Sequence, residues 1–181
     1  MRRSTASCLL AIVALALYLR LSPLLRFVYF GSDIGEYFRL SDGLLESGHV
    51  SLAYTGWGIT YPFFPGMFFP IVGTSFGGLE LSGALNLVVP TLASLVIVVV
   101  FLVTARILQE DRAALLAAAF IAVAMPQAFL SAHPVPAALG ELFAVTALLL
   151  YVRLPRDARV WALLVPLTGA LIVTHHLSTY F

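Results

Sequence analysis

The sequence predicts an all-α, polytopic helical membrane protein with about five transmembrane helices and an interfacial helix in the first outer loop. Three observations predict it. Of 181 residues, 61% are apolar and only 10% charged, against about 25% charged in soluble domains; mean hydropathy is +1.00. Five stretches reach or approach the roughly 20 apolar residues that a bilayer crossing requires. The arginines, which supply every basic side chain other than histidine, fall mostly on one side of those stretches.

The first span runs from Ser4 to Leu25 and carries Arg20 in its outer third. Ala14-Leu15-Ala16 fits a leader-cleavage pattern, but the apolar run continues to Leu25, so the segment reads as a retained helix. The second span, Leu81 to Ala105, is free of charge. A third begins at Ala113 and ends before Ala132-His133-Pro134-Val135-Pro136. The fourth covers Pro136 to Val152 with Glu141 inside it, and the fifth starts at Val160 and fades at Thr174-His175-His176. Cys8, the single cysteine, excludes an internal disulfide.

Alternation places Arg2, Arg3, Arg106, Arg112, Arg153, Arg156 and Arg159 on one face of the membrane. The positive-inside rule makes that face, and the N-terminus, cytoplasmic, in a multi-pass protein of the cell membrane. Residues 31–80 then form an extracytoplasmic loop with five acids and one arginine. A net charge of +1 gives no electrostatic basis for a nucleic-acid partner. The chain reads as one transmembrane domain over 1–181. It stops as it leaves the fifth span, and so reads as the N-terminal part of a longer protein, completed by a C-terminal domain or a second chain.

Within the loop, 33–47 has the pattern of an amphipathic helix lying in the interface. Ile34, Tyr37, Phe38, Leu44 and Leu45 share one face, opposite Glu36, Arg39, Asp42 and Glu46. Asp33 with Glu36 three residues on has capping-box spacing. Asp33, with Gly31 before it and Gly35 after it to admit a close backbone or ligand, also reads as a carboxylate held at the membrane surface to serve as base or metal ligand. Residues 54–70 hold seven aromatics and three prolines. That composition excludes a regular helix and suits an interfacial belt, an isoprenoid groove or a stacking platform for sugars.

Ionisable groups inside or at the ends of spans are costly and usually functional. Arg20, Arg26, Asp33, His133, Glu141, His175 and His176 all fall toward the outer leaflet. Arg20 reads either as snorkelling to headgroups, as a partner for Glu141, or as a phosphate ligand. Adjacent His175 and His176 point about 100° apart on a helix, which disfavours joint metal ligation.

Taken in order, these features resemble the N-terminal part of the membrane glycosyltransferases that use polyprenyl-phosphate-linked sugars, the GT-C superfamily. The resemblance rests on Asp33 after the first span, Glu36-Tyr37 in the interfacial helix, and Tyr61-Pro62-Phe63-Phe64-Pro65 before the second span. His133-Pro134-Val135-Pro136 with Glu141, and Thr174-His175-His176-Leu177-Ser178, complete it. It implies transfer of a sugar from a lipid-linked donor to an acceptor on the extracytoplasmic side, with Asp33 as catalytic base and Glu36 beside it. Arg20, Arg26, Tyr37, Tyr61, His133, Glu141, His175 and His176 would line the substrate site among membrane lipids. A divalent cation, Mg or Mn, would fall to Asp33 and Glu141. The single acid at Glu141 departs from the paired acids of the oligosaccharyltransferase branch and points to a monosaccharide-transferring relative. The other reading is a non-enzymatic membrane subunit or transporter fragment, with Arg20, Glu141 and the histidines as an ion pair or proton relay.

Overall fold

The computed structural model describes residues 3–153 and 157–175, and the described residues are helical with no strand. Helices α1 (Arg3–Leu21), α2 (Ile34–Ser47) and α3 (Phe68–Phe76) are followed by α4 (Leu81–Ser94) and α5 (Val96–Leu108). Then come α6 (Asp111–Val123), α7 (Met125–Leu130), α8 (Pro136–Arg153) and α9 (Trp161–Thr174). Three segments are long and apolar enough to cross a membrane: Arg3–Leu25, Leu81–Leu108 and Pro136–Arg153. Even the shortest, 18 residues, extends about 27 Å at 1.5 Å per residue, near the thickness of a hydrocarbon core. Leu10, Leu116, Phe120 and Leu163 lie exposed on helix surfaces, an arrangement that suits contact with lipid.

The third expected span is not one helix. It divides at Ala124 into α6, 13 residues, and α7, six residues. Pro126 is the cause: without an N–H it cannot bond the carbonyl of Ala122, and its ring clashes there. The fifth expected span, α9, has 14 described residues and carries Pro166 inside it. His176 and the rest of the Ser178 motif lie outside the described residues, as do Arg2 and Arg156.

Two apolar clusters hold the bundle. One joins α1, α5, α6 and the middle of α8 through Ala16, Ala114, Ala118, Ala122, Ile97 and Phe101. The alanines of α6 recur every fourth residue and are fully buried, so α1 and α6 approach closely as small residues permit between membrane helices. The other cluster joins α2, α3, α4 and the start of α8 through Tyr37, Leu44, Met67, Ile71, Leu85 and Leu139. Helix α2 is therefore seated on protein, with Tyr37, Ser41 and Leu44 buried along one stripe, rather than lying free on the bilayer.

The two ends differ in chemistry. At one, the Thr5 hydroxyl donates to Asp111 Oδ2 at 3.1 Å, tying the start of α1 to the α5–α6 turn near Arg106 and Arg112. At the other, Asn86 Nδ2 donates to Val28 O at 2.7 Å and fixes the segment after α1 against α4. Helix α3 packs along α4, where Pro70, Gly73 and Thr74 line a groove with Leu87, Val88, Thr91 and Leu92. The loop before α3 folds inward, with Pro62 and Met67 buried in its two 3₁₀ turns, and non-helical backbone so placed is tolerated where protein buries it.

Candidate active site

Asp33 immediately precedes α2 with φ 55°, ψ 7°, a left-handed conformation rare for a residue with a Cβ. The capping box expected from its spacing does not form: its side chain makes no capping bond. Instead Asp33 Oδ2 accepts from the Tyr61 hydroxyl at 3.0 Å, and the Tyr37 hydroxyl donates to that of Tyr61 at 3.2 Å. Oδ1 has no protein hydrogen bond among the described residues. The conformation turns the Asp33 carboxylate away from the helix start and toward Tyr61.

The two tyrosines are held neutral. Burial raises the Tyr37 pKa above the ordinary phenol value, helped by its bond to Tyr61 and the charge of Asp33. Burial also raises that of Tyr61, opposed by the hydrogen bond it accepts from Tyr37 and reinforced by its bond to Asp33 and by the charges of Asp33 and Glu36. Their rings stack obliquely, 5.1 Å between centroids. Tyr61 comes from a 3₁₀ turn, Tyr61–Phe63, that Pro62 starts, so the proline-rich composition of this loop serves to aim a phenol at Asp33.

Glu36, one turn into α2, brings a second carboxylate. Its Oε2 is buried and makes no hydrogen bond among the described residues, and the same holds for the Tyr54 hydroxyl. Both crowd Gly56: a Cβ there would collide with the phenol and with Oε2. Arg39 lies over the opposite part of this region, its guanidinium carbon 5.4 Å from the Tyr54 ring centroid, at a cavity of about 300 Å³ that Asp42, Leu44 and Phe68 also line. Tyr54 and Gly56 escaped sequence reasoning, because only the folded loop reveals which aromatic meets Glu36.

His133 closes the site from the α7–α8 turn. It is 5% exposed, and a Cβ on Gly31, at φ 124°, would lie 2.6 Å from His133 Cβ. Glycine is required at that approach. The Phe129 carbonyl lies 3.0 Å from Nδ1, so Nδ1 carries the proton and Nε2 is the basic nitrogen. Burial lowers the His133 pKa below the usual value, opposed by the Phe129 carbonyl and by the charge of Asp33.

Arg20 and Glu141 belong to a different constellation. Arg20 has no exposed surface. Its Nε donates to Ser131 Oγ at 2.7 Å; Nη1 reaches the carbonyls of Ala16 at 3.1 Å and Ala122 at 3.2 Å; Nη2 donates to Gln127 Oε1. Gln127 Nε2 in turn donates to Glu141 Oε2 at 2.9 Å. Arg20 thus satisfies the carbonyl that Pro126 orphans, and links α1, α6, α7 and α8. Arg20 and Glu141 are coupled through an amide rather than in contact, and Gln127 was not singled out from sequence.

Arg26 is exposed just beyond α1. His175 ends α9, partly buried, beside the inward loop, where Gly66 packs so tightly that an added Cβ would meet Thr174 Cα at 2.9 Å. Among the described residues no three His, Cys, Asp or Glu side chains gather as a metal site. Among the described residues, Asp33 is engaged by Tyr61 and Glu141 by Gln127, each through one carboxylate oxygen. Asp33, Glu36, Tyr37, Tyr61, Tyr54 and His133 therefore form one cluster, while Arg20 and Glu141 form another. No protein-family model, curated protein or solved structure matches this chain.

Proposed function

We propose that the chain carries the catalytic carboxylate of an integral membrane glycosyltransferase of the GT-C kind. It would cross the cell membrane about five times, with the arginine-bearing end in the cytoplasm. A sugar would pass from a polyprenyl-phosphate donor to an acceptor at the opposite, extracytoplasmic face. The observation that supports this most is Asp33: a carboxylate withheld from capping, braced on Oδ2 by Tyr61 and open on Oδ1. An acceptor hydroxyl at Oδ1 would lose its proton to Asp33 as the sugar–phosphate bond breaks, and its oxygen would bond to the anomeric carbon as the lipid phosphate leaves. A carboxylate with a reference pKa of about 3.9 serves as such a base only when bond breaking leads proton transfer. Exposed Arg26 has the fork geometry to hold the departing phosphate; Arg20 is committed to protein oxygens and serves as a strut. Glu36 would add negative potential beside the developing positive charge on the sugar.

The second reading, a subunit or transporter fragment with a proton relay, draws on the Arg20–Gln127–Glu141 chain. A neutral amide stands between the two charges, and an amide does not take up and pass on a proton. That favours the enzyme.

The test is sugar transfer from a polyprenyl-phosphate donor in membranes holding the full-length protein, with Asp33→Asn at matched folded yield. The expected loss is about 10²-fold or more. Transfer undiminished in Asp33→Asn would remove the role of base, and absence of transfer in both proteins would shift the reading to a subunit.

A further inference from the structure

The arginine-bearing end holds a second feature that the proposed reaction does not use. Arg106 near the end of α5 and Arg153 at the end of α8 line a cavity of about 310 Å³ with Asp157 and Val160. Arg106 Nε is buried there and makes no hydrogen bond among the described residues. Cations are favoured at helix C-termini by the macrodipole, but that explains charge, not a buried donor left unbonded beside a cavity. A guanidinium N–H removed from water without an acceptor is strongly disfavoured. Asp157 does not supply the acceptor: its Oδ1 takes the Arg159 amide at 3.0 Å, and no ion pair joins it to Arg106 or Arg153 among the described residues. The cavity is therefore lined by two arginines and one aspartate and is net positive.

Its surroundings indicate which anion. Tyr151 and Trp161 are 65% and 54% exposed on the helices that flank it, and amphipathic aromatics of this kind sit at headgroup depth. Ile107 and Leu108 are exposed beside Arg106 and offer apolar surface to a chain. We infer that Arg106 and Arg153 form a binding site for the phosphate of an anionic phospholipid in the leaflet at the arginine-bearing end. The phosphate oxygens would accept from the guanidinium groups of Arg106 and Arg153, and the acyl chains would run along the exposed faces of α5 and α9. A basic pocket between membrane helices is the expected form of such a site.

The experiment is native mass spectrometry of the full-length protein in neutral detergent, with phosphatidylglycerol or phosphatidylcholine added at equal concentration. Wild type should retain phosphatidylglycerol in preference, and Arg106→Gln with Arg153→Gln should weaken that retention roughly tenfold or more. Arg112→Gln, a like charge loss on the other side of the α5–α6 turn, should leave it within about twofold of wild type. Thermal unfolding of each variant separates lost binding from lost fold, and Arg106→Lys supplies a milder variant that keeps the charge. Equal loss in Arg112→Gln, or no loss in the double variant, would overturn the site. Inorganic phosphate retained without any preference for phosphatidylglycerol would overturn the lipid assignment.

Discussion

Two polar clusters lie toward the same end of the bundle and are finished to different degrees. Around Arg20, every neighbour is used: two carbonyls, a hydroxyl and an amide take its N–H groups, and the amide passes a bond to Glu141. Around Asp33, the backbone is left-handed, one carboxylate oxygen is open, and Glu36 Oε2 and the Tyr54 hydroxyl are buried without partners. A complete network stabilises one arrangement of helices. An incomplete one keeps free energy available for a group that arrives later. Both contain buried charge, so charge alone does not tell them apart; the bonds left unmet do.

The comparison breaks first at Arg20. Arg20→Met should lower stability by about 3–5 kcal/mol, because Glu141, Gln127 and the Ala122 carbonyl lose their compensation together; thermal unfolding in detergent measures it. A fall below 1 kcal/mol would show that the network is ornamental. Gly31→Ala should cost about 1–3 kcal/mol, since the new Cβ meets His133 in a conformation that glycine alone adopts readily, and the same unfolding assay checks it.

Glu36→Gln should move the other way. Neutralising a buried, unbonded carboxylate oxygen is expected to stabilise by about 1 kcal/mol while lowering sugar transfer; a loss of stability would mean that Glu36 is structural. The smallest effect concerns pH. Because folding lowers the His133 pKa, the unfolded chain binds more protons as pH falls through the region below about 6.5. Stability is then full above that value and declines below it, and His133→Gln should flatten the difference between unfolding temperatures at pH 7.5 and 5.5.

Periodicity made much of the scaffold legible. A helix is expected over 33–47 and is found at Ile34–Ser47; an apolar helix is expected at 136–152 and is found at Pro136–Arg153, long and apolar enough to cross a membrane. Hydrophobic spacing is local, so a window of sequence contains it. The split of the third span was missed because an apolar run looks continuous to a hydropathy window, although Pro126 was in plain view. The carboxylates were legible as unusual residue types in an apolar chain. Their partners were not: Tyr61 meets Asp33 across 28 positions, and Gln127 meets Arg20 across 107. The direction in which a loop folds back decides such contacts, and no local pattern encodes it.

The tight seat of Gly66 on Thr174 has a consequence for the order of assembly. These residues are 108 positions apart, and the turn at Pro65–Met67 rests on the end of α9 while the same loop delivers Tyr61 to Asp33. During synthesis, α1, α2 and the aromatic loop emerge long before α9 exists to receive them. Contacts of such long sequence separation form late. The seat of the Pro65–Met67 turn on α9 therefore cannot form until residue 174 has been made and α9 is in place, so the loop that carries Tyr61 waits for a helix more than a hundred residues downstream.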